Sequence, residues 1–208
     1  MRDTFPTLQR AGTGLFKAKG SKFHGYAFPL PFADEKAAHH AVSDHLDAVR
    51  KEHHSARHVC FAWQFGPDRY RAADDGEPAG SAGPPIHGVL RSHDLHWSLI
   101  AVVRYFGGIK LGVGGLIEAY RQAGRDAVLD AGIGTSILKT QITLAYAPDL
   151  TRHVMLAIQN EGADIVAERY TTQSLLDIAV RTERAEPLKK MLLSIHGVQL
   201  VDPSKTQP

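Results

Sequence analysis

The residues of this chain whose types and spacing could do chemistry lie in two glycine-rich segments, residues 74–85 and 104–116. The first segment combines carboxylates with a serine, and the second combines glycines with two basic residues. Neither segment is long enough to build a hydrophobic core. Glycines in such stretches indicate backbone that takes positive φ or approaches another group closely. Both segments therefore predict a functional surface.

The second segment connects an apolar strand to an apolar-periodic helix, which we expect to begin near Gly114. Free N–H groups at a helix N-terminus favour anions, so this segment would hold a phosphate or an RNA backbone. The candidate anion- or nucleic-acid-binding residues are Arg104, Gly107, Gly108, Lys110, Gly112, Gly114 and Gly115. The alternative is a tight strand-to-helix turn whose glycines only permit close packing. The pattern matches neither the P-loop nor the dinucleotide-binding fingerprint.

The first segment is a loop for which two interpretations stay open. Its carboxylates, Asp74, Asp75 and Glu77, are suited to binding Mg²⁺ or to acid–base chemistry. They are equally suited to accepting hydrogen bonds from backbone amides and shaping a turn, because Asp-Gly and Glu-Pro are both turn dipeptides. The loop residues of unassigned role are Asp74, Asp75, Gly76, Glu77, Gly80, Ser81 and Gly83. Ser81 lacks the Gly-x-Ser-x-Gly spacing of a nucleophile turn.

Histidines and the single cysteine do not form a recognised reactive motif. His54 and His58 lie four residues apart and His93 and His96 three apart, without a His-Glu-x-x-His or Cys-x-x-Cys pattern. Cys60 lies between apolar neighbours and is predicted to belong to the core. We predict no metal site and no cofactor.

Composition is that of a globular protein, with 43% hydrophobic and 22% charged residues and a net charge of +2. That charge is too small to indicate a polyanion partner by itself. No apolar run approaches the about 18 residues that span a bilayer, and residues 1–6 do not resemble a signal peptide. One cysteine excludes an intrachain disulfide and fits a reducing compartment. We therefore expect a cytoplasmic protein with no membrane partner.

The candidate residues are positioned by alternating strands and helices in an N-terminal domain, residues 1–135. The hydrophobic pattern predicts two strands over residues 13–31, a helix capped by Asp34, strands at 57–65 and 68–72, a helix over 84–93, a strand at 97–103 and a helix ending near 131. A domain boundary is expected near residues 132–135.

In the C-terminal domain, residues 136–208, the hydrophobic pattern predicts a separate β-α-β-β-α-β series. Strands are expected at 140–147, 165–171, 174–181 and 198–201, with Asp149 capping the first helix and Pro187 in the first turn of the second. This order matches the ferredoxin-like, split βαβ arrangement. The last six residues are expected to fray. The fold class is therefore α+β with two domains.

Four segments resemble those of one family. Residues 74–86 and 102–116 resemble the hallmark segments of the YigZ/IMPACT family, and residues 19–23 and 56–62 look like two further family segments. The resemblance implies an N-terminal fold like the second domain of ribosomal protein S5 and domain IV of elongation factor G. It implies a C-terminal domain similar to domain V of that factor. Both comparisons lead to RNA or a ribosomal component as partner, and eukaryotic relatives regulate translation through protein contacts.

One residue departs from the family pattern. Where the family usually carries a basic residue, this chain has Glu118. A negative charge at an exposed helix start would weaken anion binding by about 0.3–1 kcal/mol. Arg121 or Arg125 in the next turn would compensate.

The leading prediction is a non-enzymatic protein that binds RNA or the ribosome and regulates translation. One alternative is a hydrolase or transferase acting on a small molecule, with the loop of residues 74–83 as its catalytic site. Another is a protein–protein interaction module in translation control.

Overall fold

A computed structural model describes residues 3–32, 34–170 and 173–201 of the chain. The protein is of mixed α+β class, as the sequence predicts. Phe5–Ser136 forms one compact unit, and the described residues from Ile137 onward, with Asp3 and Thr4, form a second. Each unit has its own hydrophobic core.

The first unit contains the elements that the hydrophobic pattern predicts and two further strands at its ends. In chain order they are β1 (Thr4–Leu8), β2 (Gly12–Ala18), β3 (Ser21–Pro29), α1 (Glu35–Glu52), β4 (His58–Phe65), β5 (Arg69–Ala73), α2 (Gly83–Ser92), β6 (Ser98–Tyr105), α3 (Gly112–Ala131) and β7 (Ile133–Ile137). The carboxylate of Asp34 accepts a hydrogen bond from the Lys36 N–H at 2.9 Å, which confirms the predicted cap of α1.

Five of these strands form an antiparallel sheet in the order β2-β3-β6-β4-β5. The central strand, β6, is buried on both faces along most of its length, which explains its almost continuous apolar sequence. Ile100 and Val102 pack with α2 and α3, whereas the alternate side chains of β6 pack with α1. The sheet is thus covered by helices on both faces.

The connection from β6 to α3 carries the second glycine-rich segment. α3 begins at Gly112, earlier than the predicted start near Gly114, and its N-cap residue Leu111 makes no side-chain hydrogen bond. The helix ends at Ala131, and Gly132 follows with a positive φ of 71°. α3 therefore presents its N-terminus at the end of the central strand.

A two-stranded sheet was not predicted. β1 pairs with β7, and β7 includes the residues that the sequence indicated as a boundary. The pairing joins segments from opposite ends of the first unit, so no local hairpin signal in the sequence predicts it. Pro6 also interrupts the strand signal of β1.

The second unit is built from β8 (Lys139–Tyr146), α4 (Thr151–Asn160), β9 (Asp164–Tyr170), β10 (Ser174–Arg181), α5 (Thr182–Ser194) and β11 (Gln199–Val201). Its strands form an antiparallel sheet in the order β11-β8-β10-β9. Leu144, Leu176 and Ile178 from the sheet pack with Leu188 and Val154 from the two helices.

The predicted cap at Asp149 is wrong. Asp149 lies in a short 3₁₀ turn, Pro148–Leu150, and α4 begins only at Thr151. The Thr151 hydroxyl donates to the Pro148 carbonyl at 2.7 Å, and the N-cap residue Leu150 makes no side-chain bond. The predicted fraying of residues 203–208 lies outside the described residues. No helix within the described ranges is long and apolar enough to cross a membrane.

Candidate anion-binding site

The two glycine-rich segments meet at a cavity of about 750 Å³ in the first unit. We call it the loop cavity. Its walls come from residues 55–58, which lead into β4, from Glu77 and Pro78, from residues 104–106 at the end of β6, and from residues 110–113 and Leu116 around the start of α3. The antiparallel register of β4 and β6 sets His58 opposite Arg104. The sheet therefore brings segments that are distant in sequence to one place.

The carboxylate of Asp74 fixes the first glycine-rich segment. It accepts backbone hydrogen bonds from Gly80 at 2.8 Å, Ala82 at 2.9 Å and Gly83 at 2.8 Å. Burial acts to raise the pKa of this carboxyl, but the three N–H groups outweigh it, and the pKa is lowered. Asp74 is thus held as an anion that organises the loop and the start of α2.

Two further candidate residues of this loop are also engaged in internal bonds. The Asp75 carboxylate accepts from the Val59 N–H at 2.7 Å. The Ser81 hydroxyl is fully buried and donates to the Pro78 carbonyl at 2.6 Å. Gly76 and Gly80 take positive φ, and Gly83 is the first residue of α2. These contacts favour the interpretation in which the acids and the serine shape a turn.

Glu77 and Arg104 form a buried ion pair that joins the two segments. One guanidinium nitrogen, Nη1, donates to both carboxylate oxygens of Glu77 at 2.7 and 2.9 Å. The side chains are 3% and 11% exposed, respectively. The Tyr120 hydroxyl of α3 donates to the same carboxylate at 2.9 Å. Arg104, predicted as an anion contact, therefore has its charge compensated within the protein.

The second segment packs closely, through Gly107, against the turn between β2 and β3. A Cβ atom on Gly107 would lie 1.9 Å from the carbonyl carbon of Gly20, so only glycine fits. The Gly107 N–H donates to the Ser21 hydroxyl at 3.1 Å and is not free for a ligand. Gly108 and Gly112 have positive φ. Close packing thus explains part of the glycine content, as the alternative interpretation predicted.

Gly114 and Gly115 differ in their surroundings. A Cβ atom on Gly115 would lie 3.0 Å from the Leu111 side chain. One on Gly114 would meet no atom of the described residues within 4 Å, apart from its chain neighbours and the backbone of its own helix. Gly114 also lies in the first turn of α3, where N–H groups have no intrahelical partner. Neither packing nor backbone conformation requires glycine there.

Lys110 and Arg57 are the exposed cations on the wall of the loop cavity. Within the described residues, neither forms an ion pair. Sequence reasoning assigned Lys110 but did not assign Arg57 or His58 to the site. The pairing of β4 with β6 is the signal that would have found them, since His58 lies opposite Arg104.

The tautomer of His58 follows from its partner. Its Nδ1 lies 2.7 Å from the Asp75 carbonyl oxygen, which can only accept, so Nδ1 carries the proton. The other ring nitrogen is therefore the one left for a ligand.

The departure at Glu118 is compensated locally. The Glu118 carboxylate pairs with the Arg121 guanidinium at 2.9 Å on the exposed face of α3. Arg121 therefore offsets the negative charge of Glu118.

Cysteine and histidine chemistry is not favoured by the geometry. Cys60 is buried in the core, its thiol donates to the Asp74 carbonyl at 3.0 Å, and burial raises its pKa to about 12. The thiol is therefore protonated at neutral pH. The described residues contain no group of three or more His, Cys, Asp or Glu side chains arranged to hold a metal ion.

Known proteins resemble this chain over the region that forms the cavity. The model of the Impact N-terminal domain matches residues 19–128, more than half of the chain. Over 94 residues, 44% of this chain and 43% of the relative, the chain is 40% identical to the IMPACT family member YvyE of Bacillus subtilis. It is 46% identical over 84 residues, 38% and 41% of the two chains, to the IMPACT family member YigZ of Escherichia coli.

The matched part spans about two fifths of the length of these two curated relatives. A solved structure described only as that of a hypothetical protein is similar over 97% of this chain and 98% of its own, with a TM-score of 0.68 and 26% identity.

Proposed function

This chain belongs to the IMPACT family, and on that premise we propose that it binds RNA or a ribosomal component through the loop cavity, without catalysing a reaction, and that it regulates translation in the cytoplasm. The observation that carries the proposal is the charge distribution of the loop cavity. Lys110 and Arg57 are unpaired there within the described residues, whereas the carboxylate of Glu77 is compensated by Arg104.

Phosphate is the anion that this arrangement suits. Lysine and arginine side chains neutralise phosphates of an RNA backbone. The first turn of α3, whose residues Gly112 and Val113 line the cavity, adds N–H groups that have no intrahelical partner. The open position at Gly114 would allow a phosphate to approach the backbone closely. Together these features support a binding surface.

The fold assignments belong to the same proposal. We assign the first unit to the fold of the second domain of ribosomal protein S5. The second unit is assigned to the ferredoxin-like fold, because its strand order, β11-β8-β10-β9, places the first and third strands of the series at the centre of the sheet. Both assignments are in accord with a partner in translation.

The enzyme alternative finds little support in the side-chain contacts. A general base is tuned by raising its pKa towards neutrality, whereas the pKa of Asp74 is lowered by its backbone bonds. Ser81 is buried and bonded to Pro78. The loop of residues 74–83 therefore has the properties of a scaffold.

The proposal is tested by filter binding of RNA between about 50 and 200 mM salt. Wild type is compared with Lys110→Ala and with Lys36→Ala, a control that removes an exposed lysine on α1 outside the loop cavity. We expect Lys110→Ala to weaken binding and to lower the slope of log K against log salt by about 0.7–1, because one phosphate contact is lost. Binding that is absent or insensitive to salt would contradict the proposal.

A protein partner is separated from RNA by pull-down with and without nuclease. A ribosomal protein or another protein that stays bound after nuclease treatment would indicate a protein-mediated contact. Loss of all partners on nuclease treatment is the result that the RNA proposal predicts.

A further inference from the structure

Phe106 is an aromatic side chain that the fold leaves in solvent. Its side chain is 59% exposed on the wall of the loop cavity, and it belongs to neither core cluster of the first unit. A single exposed apolar residue is ordinary on a protein surface. Phe106 differs because it lies in a concave wall beside exposed cations.

The surroundings of Phe106 hold it in place. The next residue, Gly107, is wedged against Gly20, which fixes the backbone. The Arg104 guanidinium carbon lies 5.4 Å from the ring centroid, within range of a cation–π contact. Arg104 is itself immobilised by Glu77. These contacts restrict the positions that the ring can take before any ligand binds.

The loop cavity has room for more than a phosphate. Its volume, about 750 Å³, falls within the range of small-molecule sites, about 300–1,000 Å³. The wall combines one exposed ring, Phe106, with two cations, Lys110 and Arg57, that form no ion pair with any described residue. An aromatic platform next to cations is the arrangement on which unpaired bases stack in proteins that bind single strands.

We propose that the loop cavity binds an unpaired nucleotide of single-stranded RNA, with its base stacked on Phe106 and its phosphates held by Lys110 and Arg57. The inference rests on the proposed function and narrows it to one form of RNA. Bases of a duplex are stacked inside the helix and cannot lie on a protein ring, whereas unpaired bases can.

Charge favours a nucleotide over a protein partner. The centre of a protein–protein interface is depleted of charged residues, especially lysine. The exposed ring of Phe106 instead lies in a wall shared with Lys110 and Arg57. The only carboxylate lining the cavity within the described residues, that of Glu77, is paired with Arg104.

The experiment measures fluorescence anisotropy of a labelled single-stranded RNA oligonucleotide and of the same strand annealed to its complement. Wild type is compared with Phe106→Ala, Phe106→Trp, Lys110→Ala and Tyr70→Ala. Tyr70 on β5 is a matched control, because its side chain is also 59% exposed but does not line the loop cavity. Circular dichroism verifies that each variant is folded.

We expect wild type to prefer the single strand. Phe106→Ala should lower the single-strand affinity about 5- to 150-fold, the range for losing one stacked base, without changing the salt slope. Phe106→Trp should restore affinity, and Tyr70→Ala should have no effect. Lys110→Ala should lower the salt slope for both RNA forms.

Each other outcome is decisive. If Lys110→Ala weakens RNA binding but Phe106→Ala does not, the stacking proposal is overturned while the proposed function stands. Equal affinity for duplex and single strand overturns it in the same way. If wild type binds neither form at low salt, both proposals fail. If a partner requires Phe106 for binding and stays bound after nuclease treatment, the ligand of the loop cavity is a protein and not a nucleotide.

Discussion

Glu77 connects the two glycine-rich segments through a buried ion pair. Its carboxylate accepts hydrogen bonds from Arg104 on β6 and Tyr120 on α3, residues that lie 27 and 43 positions further along the chain. Removing one member of a buried pair leaves the other charge uncompensated, and this costs more than the pair itself contributes. The shape of the loop cavity depends on this side chain.

Glu77→Gln should therefore lower the free energy of unfolding by about 3–5 kcal/mol, measured by urea denaturation. The control is Glu118→Gln, which breaks the exposed pair with Arg121 and should cost at most about 1 kcal/mol. Equal losses in the two variants would show that the Glu77–Arg104 pair does not hold the site together.

Asp74 makes a pH-dependent contribution to stability. Its pKa in the folded protein lies below the ordinary value of 3.8, because three backbone N–H groups stabilise the anion. A lowered pKa means that the contribution is complete above about pH 4 and is lost as the pH falls through the folded value. The stability difference between wild type and Asp74→Asn should therefore be large at neutral pH and shrink in acid.

Chemical denaturation between about pH 7 and pH 2 measures this difference. Asp68→Asn, which changes an exposed carboxylate in the turn between β4 and β5, serves as the control for the removal of a surface charge. A constant difference between wild type and Asp74→Asn across this range would contradict the proposed role of the anion.

The roles of these side chains could not be predicted from the sequence. Asp-Gly and Glu-Pro permit a turn as well as a catalytic loop, so the local sequence leaves both interpretations open. The deciding contacts of Glu77 involve residues on other elements. Only the antiparallel pairing of β6 with β4, which the sequence does not specify, brings Arg57, His58 and Arg104 to one wall.

At the scale of elements, a single substitution can test whether the start of α3 contributes to binding. A Cβ atom on Gly114 would have open space among the described residues, and glycine within a helix is less favourable than alanine by about 0.5–1 kcal/mol. Gly114→Ala should therefore stabilise the fold by up to that amount, yet weaken RNA binding severalfold because the added methyl group blocks the approach to the backbone.

Thermal melting and anisotropy measure the two effects on the same sample. Gly88→Ala is the matched control, since a Cβ atom there would also have open space among the described residues and the residue lies in α2 outside the loop cavity. It should stabilise without changing RNA affinity. Unchanged affinity in Gly114→Ala would mean that no ligand approaches this turn.

Strongly periodic elements were predicted well, because local signals determine them. Asp34 and the apolar spacing of α1 define that helix, and the continuous apolar run of β6 identifies a strand buried on both faces. β1 and β7 were missed, because their pairing joins residues more than a hundred positions apart. The prediction that Asp149 caps α4 was wrong. A 3₁₀ turn precedes the helix, so α4 begins only at Thr151.

At the scale of the whole molecule, two compact α+β units follow each other in the chain, and the described site lies entirely in the first. The match to the Impact N-terminal domain covers residues 19–128, the same region. The second unit has a separate core and a strand order that supports a ferredoxin-like assignment. The sequence could indicate the order of elements in both units, whereas the loop cavity depends on sheet register.

The most direct test of the account locates the ligand on the protein. Isotope-labelled protein is titrated with single-stranded RNA at about 50 mM salt and followed by amide-resolved NMR. The account predicts that the amide signals of Arg57, Lys110, Val113 and Gly114 shift together and saturate with one affinity, while those of α1 stay in place. Shifts confined to other surfaces, or none at all, would contradict an anion-binding role for the loop cavity.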